Sequence, residues 1–112
     1  MAESVDIRAR LDLNDSDFLN DLFALDKNEK VQIIKVFEKI SKLTWEQIYQ
    51  DAGLKWEKID PIPPRLIRHL TKYKQLSLYS IRITQAKRAV VTRDGEFMRF
   101  LALPPDHDST YA

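Results

Sequence analysis

The sequence predicts an α+β fold in which an N-terminal strand and two to three helices pack on a small antiparallel sheet. Three observations predict it. Apolar and polar residues alternate near the start of the chain and again near its end, the period of a strand with one buried face. Between these stretches the apolar residues recur at helical spacing behind residues that cap helices. Helices grouped ahead of consecutive strands build layers, with the helices on one face of the sheet.

Val5, Ile7, Ala9, Leu11 and Leu13 alternate with Asp6, Arg8, Arg10 and Asp12, so residues 5–13 read as an amphipathic strand at the sheet edge. The run Asn14, Asp15, Ser16, Asp17 supplies cap formers and opens a short helix over 15–25 that turns Phe18, Leu22 and Leu25 inward. Asp26 and Glu29 have the spacing of a capping box. They precede the longest predicted helix, 27–42, with Val31, Ile33, Ile34, Phe37 and Ile40 on one broad stripe. Thr44 and Gln47 repeat the pattern and open a helix to residue 51, with Trp45 and Ile48 inward and Gly53 as its stop. Residues 54–59 are compatible with a short strand. Pro61, Pro63 and Pro64 stiffen a connector that is neither helix interior nor central strand. Residues 65–75 carry Leu66, Ile67, Leu70 and Tyr73 on a basic background, either one short helix or an ordered loop.

Three consecutive antiparallel strands follow, over 77–84, 88–93 and 96–103. In the first, Tyr79, Ile81 and Ile83 alternate with Ser80, Arg82 and Thr84. Asp94 and Gly95 suit a two-residue hairpin turn, because glycine accepts a positive φ without a Cβ clash. With those two as the turn, Arg93 faces Glu96, Val91 faces Met98, Ala89 faces Phe100 and Arg88 lies opposite Leu101. The other face then carries Arg88, Val90 and Thr92 beside Phe97, Arg99 and Leu101. A three-residue loop over 85–87 would put Arg82 on the face of Arg88 and Arg99; a two- or four-residue loop would put it on the opposite one. Pro104 and Pro105 end the last strand.

The 112 residues fit one domain, 1–112, with enough chain for a core. There are no cysteines, which excludes disulfides and thiolate metal sites and fits a cytoplasmic protein. His69 and His107, the two histidines, are too few for a zinc site, so neither metal nor cofactor is expected. No apolar run reaches membrane-spanning length, and no glycine-rich phosphate loop, serine elbow or HExxH motif occurs. The net charge of +1 hides an asymmetry: residues 1–54 hold seven Lys/Arg and eleven Asp/Glu, whereas residues 55–103 hold eleven and four. A basic half suggests an anionic partner, nucleic acid first, or else two layers that complement each other's charge.

Three groups carry chemistry. Arg82, Lys87, Arg88 and Arg99 offer cations on the sheet, and arginine's planar fork of donors matches a phosphate. The alternative is a solvated sheet face. His107 and Tyr111 in the tail offer a proton-transfer group and a ring that can bond or stack on a nucleotide. Asp106 and Asp108 flank the histidine and favour its charged form if they lie close, which suits a general acid. Trp45, Tyr49 and Trp56 read as core packing.

The Y-S-I-R-I strand (Tyr79 to Ile83), Arg88 five residues after it, the apolar run Ala89, Val90 and Val91, the Asp94-Gly95 turn and the closing H-x-x-x-Y (His107, Tyr111) resemble the RelE/ParE toxin superfamily over residues 76–111. The likeness is greatest to its RelE-, HigB- and YoeB-type branches. The resemblance implies the toxin of a toxin–antitoxin pair: a ribosome-dependent endonuclease that cuts messenger RNA, with a cognate antitoxin protein as its other partner. It implies catalytic roles for Arg88, His107 and Tyr111, with Arg82, Lys87 and Arg99 binding RNA. The alternatives within the fold are a non-catalytic binding module and a gyrase-directed toxin of the ParE type. Asp108 stands where family tails often carry a basic residue.

Overall fold

The computed structural model describes residues 7–104. They form β1 (Arg10–Asp12), α1 (Ser16–Phe23), α2 (Lys27–Ser41), α3 (Trp45–Gln50) and β2 (Glu57–Lys58). A 3₁₀ turn (Pro64–Leu66) then leads into α4 (Ile67–Tyr73), followed by β3 (Tyr79–Arg82), β4 (Arg88–Asp94) and β5 (Phe97–Ala102). The strands make one sheet in the order β1-β5-β4-β3-β2.

The helix starts follow their caps. The Asp15 side chain accepts from the Phe18 N–H, and both halves of the capping box form at Asp26/Glu29 and at Thr44/Gln47. The stripe on α2 is narrower than its sequence suggests. Ile33, Phe37 and Ile40 are buried, but Val31 and Ile34 stay 47% and 58% exposed. At 3.6 residues per turn those two lie roughly 160° and 100° around the helix from Ile33, beyond the reach of the sheet. Phe18 and Phe37 each pack on Phe100, with ring centroids 5.2 Å apart in both pairs, and so fasten α1 and α2 to β5.

Two expectations about the layers are corrected. The sheet is mixed, because β1 runs parallel to β5 (Leu11 opposite Met98). Both helix-rich α1–α2–α3 and the whole β4–β5 hairpin separate the strands' entry points, and a connection of that length permits a parallel pair. Nor do the helices share one face. Ile81, Ala89, Val91, Met98 and Phe100 pack with α1, α2 and α3. Val90, Leu101 and Ala102 pack with Ile59, Leu66 and Leu78, partly covered by Leu70 and Tyr73 of α4. Covering both faces explains why β4 reads as a nearly continuous apolar run rather than a clean alternation.

The hairpin register also shifts. Asp94 pairs with Phe97, Arg93 with Met98 and Val91 with Phe100, so Gly95 and Glu96 are the turn residues. Gly95 has φ +62 and Glu96 does not share the positive value, the φ pattern of a type II′ turn. The Glu96 carbonyl accepts from the Arg10 N–H (2.9 Å) and from the Trp45 indole N–H (3.0 Å), which fixes the turn from outside the hairpin. The slip moves each partner by two residues and therefore preserves which side chains share a face. A bulge between Val90 and Val91 then brings Ala102 opposite Val90, so the expected pairing of Arg88 with Leu101 does not form.

Candidate functional site

At the C-terminal end of β5 a cleft of about 580 Å³ opens between α1, the 3₁₀ turn, α4 and the entry to β4. Its polar lining comes from Asp21, Glu29, Arg65, Arg68, His69 and Lys87, and Leu103 and Pro104 carry the chain past it. The Leu103 N–H donates to the Asp21 carboxylate (2.8 Å), anchoring the exit of the last strand to α1. The Lys87 ammonium lies 3.4 Å from Glu29 of α2, and Arg68 lies 3.4 Å from Asp17 of α1.

His69 is the buried member of this lining. The residue is 1% exposed, and neither ring nitrogen has a hydrogen-bond partner among the described residues. Burial pushes its pKa below the usual histidine value, with Arg68 adding to the shift and Asp15 and Asp17 opposing it, so the ring is neutral at pH 7. Beside it, Asp15 accepts from the Phe18 N–H, the Lys72 ammonium and the Tyr73 hydroxyl. Burial raises the Asp15 carboxyl, but those three hydrogen bonds outweigh it and hold the group below the ordinary range. The Lys72 pKa rises in response, chiefly through its bond to Asp15. The network joins the cap of α1 to the last turn of α4.

The arginines expected on the sheet do share a face. Arg82 pairs directly with Arg88, and Arg99 pairs with Thr92 two residues from Val90. The connecting loop has five residues, 83–87, rather than three, and an odd count leaves the parity unchanged. That face is not open, which corrects the picture of a solvated arginine surface. Arg88 is buried. Its guanidinium donates to the Ser80 hydroxyl (3.0 Å) and carbonyl (3.3 Å) and to the Lys55 carbonyl (2.8 Å), and lies 3.3 Å from Glu57. It ties β2 to β3 and β4 under cover of residues 55–58. Arg99 bridges Asp12 and Asp94 at 3.0 Å each, and its guanidinium stands 4.4 Å over the Tyr73 ring. Both carboxylates raise its pKa against the opposing effect of burial. Lys87 is buried against Glu29. Arg82 is half-buried, and its side chain has no ion-pair or hydrogen-bond partner among the described residues.

His107 and Tyr111 lie outside the described residues. Arg65, Arg68 and His69 belong to the cleft but not to the set of site residues expected from sequence. The signal that points to them is the basic background of residues 65–75, and α4 turns it toward α1. Among the described residues no cluster of His, Cys, Asp and Glu could hold a metal ion, and no helix is long and apolar enough to cross a membrane. Compared with protein-family models, curated proteins and solved structures, the chain matches none of them.

Proposed function

We propose that this chain is the toxin of a toxin–antitoxin pair, acting on messenger RNA at the ribosome through the cleft between α1, α4 and the end of β5, with an antitoxin protein as its restraining partner. The observation that supports this reading is the make-up of the cleft: cations from the 3₁₀ turn, α4 and the start of β4 surround the point where the chain leaves the sheet. His107 is three residues beyond Pro104, within about 11 Å along the chain. The reaction is attack of a ribose 2′-hydroxyl on the adjacent phosphorus, forming a cyclic phosphate and releasing the 5′-oxygen. It needs a base, an acid and positive charge beside the phosphorane. Asp21 and Glu29 are the cleft's groups able to take the hydroxyl proton. His107 protonates the departing oxygen, and Tyr111 stacks on a base. With Arg88 buried and Lys87 held against Glu29, the cationic role passes to Arg65 and Arg68.

The test is ribosome-dependent messenger RNA cleavage together with growth arrest on expression. The Arg65→Ala/Arg68→Ala double variant should melt like the wild type, since exposed ion pairs contribute little to stability, and should lose roughly 100-fold or more of the cleavage rate. A wild type that never cleaves overturns the reading. The burial of Arg88 favours a second one in that case, a non-catalytic domain of the same architecture that binds RNA or a protein.

A further inference from the structure

Away from the cleft, four aromatic rings join α3, β2 and β3. The Trp56 ring stacks on Tyr79 with centroids 4.6 Å apart and an interplanar angle of 21°, and it also meets Trp45 edge-on and Tyr49 at a tilt. Core packing explains Trp45, which is buried, but not Tyr49, which is 46% exposed. Arg93 braces the group. Its guanidinium lies 4.4 Å over the Trp45 ring and donates to the Tyr49 hydroxyl (2.7 Å). A groove of about 400 Å³ runs along these rings, lined by Tyr49, Trp56, Tyr79 and Arg93 and by the turn that carries Lys74, Gln75 and the 93% exposed Leu76.

We propose that this groove is a stacking site for an unpaired base of single-stranded nucleic acid, a contact separate from the cleft. Three observations favour that ligand. Ring surfaces accept any base, because every base has a π-face. Among the described residues no carboxylate lines the groove, while Lys74 and Arg93 do, and Lys58 pairs opposite Tyr79; this is the charge a phosphate backbone requires. The Gln75 side-chain amide has no partner among the described residues and can bond a base edge. Lys74 holds the turn open in a left-handed conformation, φ +55, as the C-cap of α4. The proposal rests on the RNA reading above for its ligand class but does not require cleavage.

The experiment uses the full chain and a fluorescein-labelled oligouridylate decamer at low salt, read by anisotropy and by quenching of tryptophan fluorescence. Wild type should bind the single strand with quenching, and a duplex of equal length should not quench. Lys74→Ala removes an exposed side chain and should melt normally, while Tyr49→Ala also gives up its contacts with Trp45, Trp56 and Arg93 and is assayed well below its own melting temperature; each should weaken binding about 5-fold or more. Quenching and variant-sensitive binding without any cleavage leaves this site standing and removes the catalytic function. Cleavage by a wild type whose oligonucleotide binding is indifferent to both substitutions removes this site alone. A groove that takes a proline-rich peptide and no oligonucleotide also overturns the proposal.

Discussion

Arg88 illustrates how the same residue type serves opposite ends. A guanidinium on an open sheet face contributes little to stability, but this one is buried with its donors on two carbonyls, a hydroxyl and a carboxylate. Removing it strands those acceptors without water, at a cost of roughly 1–3 kcal/mol, in addition to the packing of its stem. Arg88→Ala should therefore lower the melting temperature by about 10 °C. Arg88→Lys should recover little, since an ammonium cannot reproduce the planar fork. A variant that melts like the wild type would show that the guanidinium faces solvent. His69 gives a second residue-scale expectation. Its folded pKa lies below the unfolded value of 6.5, so the unfolded chain binds more protons in the interval between them. Stability from this group is complete above pH 6.5 and is lost as the pH falls through the folded value. Asp15 and Asp51 are shifted below 3.8 and act only in stronger acid. Thermal melting between pH 8 and 5 should fall below pH 6.5 in the wild type, and His69→Leu should flatten that part of the curve. An unchanged slope in the variant would assign the effect elsewhere.

At the scale of elements, what was legible in the sequence was local. The capping boxes at Asp26/Glu29 and Thr44/Gln47 are three-residue signals, and their hydrogen bonds form as spelled. The alternation in residues 79–84 and the glycine of the last hairpin likewise place three antiparallel strands in order. What failed was set by partners distant in sequence. The turn slipped to Gly95 and Glu96, where Arg10 and Trp45 both bond the Glu96 carbonyl and Asp94 joins Arg99. Of these only the Asp94–Arg99 pair lies between residues 88 and 103; the two bonds to the Glu96 carbonyl come from outside it. The second covered face was missed for a related reason. Leu66, Leu70 and Tyr73 showed a helical stripe, but which side of the sheet received it depended on the path of residues 59–64. Ser80 and Thr92 disguised the face they share with Val90 as a polar one, although both are buried.

For the molecule as a whole, the basic excess of residues 55–103 was plain in the composition, but its availability was not. The fold takes Lys87 to Glu29, Arg88 to Glu57 and Arg99 to Asp12 and Asp94, four carboxylates spread over the chain. Part of the asymmetry is thus layer complementarity, and the cations left near solvent flank the cleft and the aromatic groove. Salt dependence separates the two populations. Each phosphate neutralised on a single strand contributes about −0.7 to the slope of log K against log salt. A cation held in a buried or half-buried ion pair, as Lys87, Arg88 and Arg99 are, stays with its carboxylate and adds nothing, whereas the exposed Arg68 can exchange Asp17 for a phosphate. Oligonucleotide binding should therefore weaken steeply as salt rises. The Arg65→Ala/Arg68→Ala variant should reduce the magnitude of the slope by about 1.4. Arg99→Ala should destabilise the fold, because it leaves Asp12 and Asp94 facing each other unpaired, yet leave the slope unchanged below its melting temperature. If Arg99→Ala flattens the slope and the double variant does not, RNA lies on the sheet face rather than in the cleft.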